Sequence, residues 1–331
     1  MYDPRVSALT EIGPIALPDA PGRASGFFTF DDEPMLAKYS WPYFVVTGAS
    51  PGPTVLITAG IHAAEYTGIE AAIRVGRALD PARVSGAILV IPLLNRPGFF
   101  ERSVYVNPED NDNLNRVFPG DPGGRWSERF AHHLLERIIA RCDHAIDLHA
   151  GDMVEDLVPF VIYRETGDAD LDKRIQKMAF AYGLPWAVKS APTGERPGSL
   201  YAVAAGRGVA SMIAESGGRG LLIEEDVDRH VRGVTNVLRE IGALEGEPER
   251  VTPPTVVESF DWVRSAHEGI FRMSVAVGDR VSEGDALGEL VDLLGEPLAR
   301  VTAPKAGVVL FVVTSPAIKK DGLLLAIGAL G

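Results

Sequence analysis

The chain has 331 residues, 46% of them hydrophobic and 23% charged, with a formal net charge of −13. Such a composition describes a globular chain of one large or two smaller domains with ample material for a core. Its acidity excludes a general nucleic-acid footprint but leaves local arginines able to hold an anionic small molecule.

The single cysteine, Cys142, excludes an internal disulfide and a thiolate-rich zinc site. No run of about 18 apolar residues reads as a membrane span. The N-terminal MYDPRVSALTEIGP lacks the basic-then-apolar build of a secretion signal, so the cytoplasm is the expected compartment.

Taken in chain order, the first 45 residues carry ASGFFTF and PYFVVTG, expected as short strands joining a main sheet. PTVLITAG (53–60) is short, apolar and β-branched, the pattern of a strand buried on both faces. Over 66–79 the apolar positions Ile69, Ala72, Ile73 and Gly76 fall at helical spacing, and the pattern stops at Asp80-Pro81. GAILVIPLLN (86–95) predicts a second buried strand. Trp126, Phe130, Leu134 and Ile138 mark one face of a helix over roughly 125–140. HAIDLHA (144–150) and VASMIAE (209–215) predict two more strands, with a helix at 224–242 behind the last. Alternation of this kind predicts an α/β fold whose sheet is largely parallel and covered on both faces. After about residue 246, EGEPERVTPPTV reads as a linker, and glycine-punctuated β-like runs without helix signal follow. The expected division is a catalytic domain over 1–246, including the N-terminal strands, and a small all-β domain over 256–331.

His62, His133, His144 and His149 are all followed three places later by an acid, so that spacing alone selects nothing. Position selects. His62 and Glu65 follow the first predicted strand, NRPGF (95–99) the second, His149 ends the third and Glu215 the fourth. In open α/β sheets ligands gather where strands end. A catalytic zinc wants three His or carboxylate ligands and an open position for water. His62, Glu65 and His149 fit that design, with one Zn2+ per chain. Glu215 is the candidate carboxylate for proton transfer. Asp147, two residues before His149, shares its strand face and is placed to orient its ring. Without that context, His62 and Glu65 read as ordinary polar residues at a helix start, His149 and Asp147 as a buried ion pair, and Glu215 as the opening of a turn. Asp152 is a weaker alternative ligand. His133 is read as part of a solvated helix face, and His132, His230 and His267 as surface residues. His144 and Asp147 point to opposite faces of one strand and cannot chelate. Asn115 and Arg116, in DNDNLNRVFPG, offer an amide and a guanidinium fork for a substrate carboxylate. Arg102, Arg96 and Arg196 are further candidates from nearby loops.

With these residues in view, GIHAAEYTG, NRPGF, NLNRVFPG, DLHAG and AESGG, in this order over about 60–218, resemble the succinylglutamate desuccinylase/aspartoacylase family of the zinc carboxypeptidase superfamily. Within it, the bacterial N-acetyl-diaminobutyrate deacetylase group is the most similar. The resemblance implies an α/β/α catalytic fold with a central mixed sheet. It also implies zinc ligands His62, Glu65 and His149, substrate contacts from Asn115 and Arg116, and Glu215 as base and proton shuttle. The implied reaction is hydrolysis of the amide of an N-acyl amino acid. Departures border the predicted pocket: Arg96 follows Asn95 directly, and Ala150 and Asp152 stand where the deacetylase group tends to have serine and glycine.

VGDRVSEGDALGEL followed by VTAPKAGVV resembles a biotinyl/lipoyl-type β-hammerhead. The position of the modifiable lysine in such carriers holds Gly295, so no prosthetic group is expected. The segment is expected as a wall or lid beside the zinc cleft, or as a contact in a homo-oligomer. Two other functions compete with the deacylase: a zinc carboxypeptidase acting on short peptides, and a non-enzymatic carrier or scaffold. The expected partner is a small N-acyl amino acid, with neither nucleic acid nor membrane.

Overall fold

A computed structural model describes residues 9–190 and 198–330. The short strands β1 (Glu11–Ile12) and β2 (Ile15–Ala16) form a hairpin apart from the main sheet. Nine strands follow before the last helix: β3 (Gly22–Phe28), β4 (Trp41–Thr47), β5 (Ser50–Ala59), β6 (Ser85–Ile91), β7 (His144–His149), β8 (Glu155–Leu157), β9 (Phe160–Arg164), β10 (Trp186–Ser190) and β11 (Ala210–Glu215). Six helices lie among and after them: α1 (Tyr66–Ala78), α2 (Arg96–Glu101), α3 (Trp126–Arg137), α4 (Ala169–Ala181), α5 (Leu200–Gly206) and α6 (Glu224–Glu240). The rest is β: β12 (Thr255–Arg264), β13 (Gly269–Met273), β14 (Arg280–Val281), β15 (Ala286–Val291), β16 (Pro297–Thr302), β17 (Gly307–Val313), β18 (Ala317–Ile318) and β19 (Leu323–Leu330).

The main sheet runs β14-β17-β19-β12-β10-β9-β11-β7-β5-β6-β4-β3, with β8 pairing β17 off that path. It is mixed. β6, β5, β7 and β11 are mutually parallel, β9 runs against β11, and β9, β10 and β12 are parallel again. Beyond β12 every pairing along the path is antiparallel. The central strands β5, β6 and β7 are apolar almost throughout because both faces are covered. On one face, Ile69, Ala72 and Val75 of α1, Ile175 and Met178 of α4, and Val234 and Val237 of α6 close one core. On the other, Trp126, Phe130 and Leu134 of α3 pack with Trp41 and Phe30. The C-terminal strands divide: β12, β14, β17 and β19 extend the main sheet, whereas β16, β15, β13 and β18 form a separate four-stranded sheet. At the tip of the latter, Leu293 and Leu294 are exposed, and Gly295 takes a left-handed backbone (φ 86°). Among the described residues no helix is long and apolar enough to cross a membrane.

Local chemistry explains the helices that carry the site. Asp168 caps α4 through the N–H groups of Asp170 and Leu171. Glu224, Glu225 and Asp226 place negative charge at the positive end of α6. Gly68 lets α1 lie directly on β7: a Cβ there would stand 2.9 Å from the carbonyl oxygen of Leu148. Gly60 adopts φ 64° in the turn leaving β5, and a side chain on it would strike Leu93.

Candidate active site

The turn after β5 is held to the end of β6 by two backbone bonds, from the N–H of Leu94 to the carbonyl of Ala59 (3.0 Å) and from that of Asn95 to Gly60 (2.8 Å). It presents His62, and Glu65 stands at the start of α1. His149 is the last residue of the adjacent parallel strand β7. The three side chains meet. His62 Nδ1 lies 2.7 Å from Glu65 Oε1, and His149 Nδ1 lies 2.9 Å from Glu65 Oε2. The two imidazole centroids are 5.1 Å apart. One ligand-type atom from each of the three lies within 4.8 Å of the others. Their side chains are nearly or wholly out of solvent.

The hydrogen bonds around the two rings fix which nitrogen faces inward. His149 Nε2 donates to Asp147 Oδ2 (3.0 Å), and Asp147 is itself held by the hydroxyl of Thr58, which donates to Oδ1 (2.7 Å). His62 Nε2 is 3.2 Å from Asn113 Oδ1, an oxygen that also accepts the Asn115 N–H (2.9 Å). Each ring thus spends its Nε2 proton outward and turns Nδ1 toward the Glu65 carboxylate. An Nδ1 facing a carboxylate at this distance shares a cation with it, either a proton on the ring or a metal ion in its place. The electrostatics say the same. Burial works against charge on His62 and His149, yet the Glu65 carboxylate outweighs it and holds both pKa values above the usual histidine range. Glu65, for its part, is penalised by burial but held below the usual carboxylate range by the two imidazoles. This donor set of two imidazoles and one carboxylate, nearly closed to solvent and able to exchange its ring protons for a metal, fits a zinc ion.

A layer beneath supports it. The N–H of Ala150 donates to Glu65 Oε2 (3.1 Å). His230 Nε2 donates to the carbonyl of His149 (2.9 Å), and the Tyr182 hydroxyl donates to His230 Nδ1 (2.8 Å). Burial lowers the His230 pKa to about 4, so this ring is neutral. His230 is therefore no surface residue, contrary to the sequence reading: it lies on the inner face of α6 with no exposure, beside Val227 and Val234. His133 is a second correction. Its ring is stacked on Phe30 at 5.6 Å and reaches Glu33 at 3.6 Å, rather than standing on a solvated face.

A cavity of 110 Å3 opens above the three side chains. Glu215 lines it from the end of β11, in register with His149 across a parallel pair. Asn115 and Arg116 line it from the 3-10 turn Leu114–Arg116. Asn115 is buried, and its Oδ1 accepts the N–H of Leu200 (2.8 Å). Arg116 is exposed and donates to the carbonyl of Asn115 (2.7 Å). Arg102 is not brought there: it ends α2 in a left-handed conformation (φ 53°) and is exposed. Arg96 turns away, donating to the hydroxyl of Ser40 (2.6 Å) and lying 5.7 Å over the Phe27 ring. Arg196 lies outside the described residues. Asp152 is buried but lies outside the three-residue group, its carboxylate accepting the N–H groups of Tyr105 and Met153.

Sequence reading missed several residues of the cavity. Tyr105, Asn113 and Glu155 come from loops and strand ends where an isolated polar residue carries no periodic signal. Phe260, Trp262, Leu310 and Phe311, on β12 and β17, form an apolar wall opposite the polar floor. Their position shows only in the sheet topology.

The family comparison agrees with this architecture. The succinylglutamate desuccinylase/aspartoacylase catalytic domain matches residues 51–241. The chain belongs to this family. Among its relatives, the N-alpha-acetyl-L-2,4-diaminobutyric acid deacetylase of Halomonas elongata is 30% identical over 291 residues, covering 86% of this chain and 84% of that one. Two solved structures share the fold over nearly their whole length. The product-bound ectoine utilization protein EutE (DoeB) of Ruegeria pomeroyi has 28% identity and a TM-score of 0.84, covering 96% of this chain and 100% of that one. A succinylglutamate desuccinylase/aspartoacylase of Rhodobacter sphaeroides has 27% identity and a TM-score of 0.83, covering 95% and 97%.

Proposed function

We propose that this chain is a zinc-dependent amidohydrolase that removes the acyl group from an N-acyl amino acid. The observation that carries the reading is the convergence of His62 Nδ1, His149 Nδ1 and the Glu65 carboxylate under a cavity that also holds Glu215 and Arg116. His62, Glu65 and His149 would hold one zinc ion, and Asp147 would fix the tautomer and tilt of His149. A zinc ion so held supplies Lewis acidity for attack of water on an amide carbonyl. Glu215 takes the proton from the attacking water and delivers it to the leaving nitrogen as the C–N bond breaks, giving a carboxylic acid and an amine. Arg116, with Asn115 beneath it, grips the carboxylate of the amino-acid part. The apolar wall of β12 and β17 keeps bulk water from the reacting centre. In this reading residues 1–246 are the catalytic unit and 256–331 an accessory unit that walls the cleft.

The test is a panel of N-acetyl and N-succinyl amino acids, assayed with and without a chelator. Activity requires the metal, at about one zinc per chain. Glu215→Gln keeps the metal and lowers kcat by about 10²–10⁴. Full activity in Glu215→Gln, or activity confined to peptides, sinks the reading.

A further inference from the structure

The proposed reaction uses only Glu215 of the AESGG segment. The next residue, Ser216, has no exposure and directs each of its polar groups at a different element. Its N–H donates to the carbonyl of His149 at the end of β7 (3.2 Å). Its hydroxyl donates to Asp226 Oδ1 in the first turn of α6 (3.0 Å). Its carbonyl accepts from the hydroxyl of Thr67 in the first turn of α1 (2.6 Å). Thr67 stands two residues beyond Glu65, and Ser216 one beyond Glu215. One buried residue is thus bonded to the segments of Glu65 and His149 while continuing the segment of Glu215.

Room is made for this junction. Gly217 takes a left-handed backbone (φ 94°), and a Cβ there would stand 2.8 Å from both Oγ1 and Cγ2 of Thr67 and 3.3 Å from Asp226 Cβ. Glycine meets both the backbone and the space requirement. The far side is braced as well: Asp226 pairs with Arg229, and the His149 carbonyl takes a second bond from His230. The links do different work. β7 and β11 are parallel partners, and their ladder already sets Glu215 beside His149 along the sheet. The helix α1 lies outside that ladder, and the Thr67 hydroxyl ties its first turn to the end of β11. Such a bond holds its position because either group left unpaired out of water is costly.

We propose that Thr67 and Ser216 are positioning residues: they clasp the start of α1 to the end of β11 and so hold Glu215 at a set distance from His62, Glu65 and His149. Neither lines the cavity, and both act through the main chain beneath it. A proton-transfer group displaced by about 1 Å can lose about 10² in rate, so such a clasp has an effect on turnover out of proportion to its size. The part of Glu215 in this rests on the deacylase reading, whereas the clasp itself is a property of the folded chain.

Thr67→Val removes the hydroxyl at nearly constant shape, and Thr67→Ser keeps it. In zinc-loaded protein Thr67→Val lowers kcat by about tenfold to a hundredfold with KM within about twofold, and Thr67→Ser stays within about threefold of the unaltered protein. In a Glu215→Gln background the same Thr67→Val costs less than about twofold more, because its effect passes through the carboxylate already removed. Amide hydrogen exchange on metal-free protein gives a readout without turnover. Exchange over β11 and Ser216 quickens by about tenfold in Thr67→Val and recovers in Thr67→Ser, while β6 keeps its rate. Should Thr67→Val fail to fold, Thr67→Ala removes the same hydroxyl and is read in the same way. Unchanged exchange in the hydroxyl-free variant overturns the proposal, and so does unchanged kcat in an active protein. Losses that multiply fully in the double variant also overturn it, since they would mark a merely structural hydroxyl. If no N-acyl amino acid is hydrolysed while the exchange difference holds, the deacylase reading fails and the clasp stands.

Discussion

Two regions of the main sheet use their strands differently. From β6 to β11 the sheet is parallel and sandwiched by helices, and its strand ends deliver charged groups one at a time: His62, His149, Glu215. From β12 to β14 it is antiparallel, and the same cavity receives only apolar side chains from β12, β17 and β19. Parallel strands end together on one edge, so ligands far apart in sequence converge there. Antiparallel strands present a face instead, and a face of alternating side chains makes a wall. In the proposed reaction the polar edge would hold the metal ion and the dry face would exclude water.

This division is open to direct attack. Phe130, with no exposure and stacked between Trp41 and Trp126, belongs to the helix-covered half and lies away from the cavity. Phe130→Ala is expected to cost about 4 kcal/mol of stability, read by denaturant unfolding, while kcat/KM of the folded fraction stays within about twofold. Phe311→Ala on the wall is expected to lose less stability, about 2 kcal/mol, but to lower kcat/KM about tenfold. Similar profiles for the two variants would erase the distinction.

A second measurement concerns the polar edge. The metal-free pKa values of His62 and His149 lie above 6.5 because of Glu65, so their protons compete with a metal. The sign follows from that direction. In metal-free protein the two imidazoliums contribute stability that is complete below the unfolded value and is lost as pH rises through the raised folded values. Zinc affinity runs the other way, weakening by about tenfold or more per pH unit on acidification below neutrality. Competition titration with a chromophoric chelator between about pH 6 and 8 reads it, and a flat profile would show that the imidazoles are not ligands.

The smallest effect belongs to Glu155 in the cavity lining. The Glu155 pKa is raised from 4.5 to about 7, so its contribution to stability is present below about pH 4.5, declines as pH rises to about 7 and is flat above. Glu155→Gln is expected to stabilise the ligand-free protein by about 2 kcal/mol near pH 8 and negligibly near pH 4.5, in thermal unfolding at the two pH values. No pH dependence would show a solvated carboxylate.

How legible the fold was depended on what each segment buries. β5, β6, β7 and β11 stood out because strands covered on both faces become unbroken apolar runs. α1, α3 and α6 stood out through helical spacing of apolar residues. The stretch from β8 to α5 gave no strand or helix assignment, although Asp168 followed by Leu171, Ile175 and Met178 is a cap and an apolar stripe that would have marked α4. His230 was misread because a polar residue at a core spacing, between Val227 and Val234, was judged by type instead of by position. His62, Glu65 and His149 were found because strand-end position, not spacing, singled them out. Glu155 and Tyr105 were not, since only the pairing of β8 with β17 and the turn after α2 bring them to the cavity.

The contact of Gly68 with the main chain of β7 has a bearing on which ion the proposed site would select. It joins the segment bearing Glu65 to the segment bearing His149 through backbone against backbone, with no rotatable side chain to act as a spacer. The mouth between the two donors therefore has a nearly fixed width. A rigid aperture of two nitrogens and a carboxylate suits a small ion content with four neighbours and disfavours calcium, which asks for six to eight oxygens at longer reach. Enlarging residue 68 by one methyl group would act as a wedge, spreading the aperture without touching any ligand.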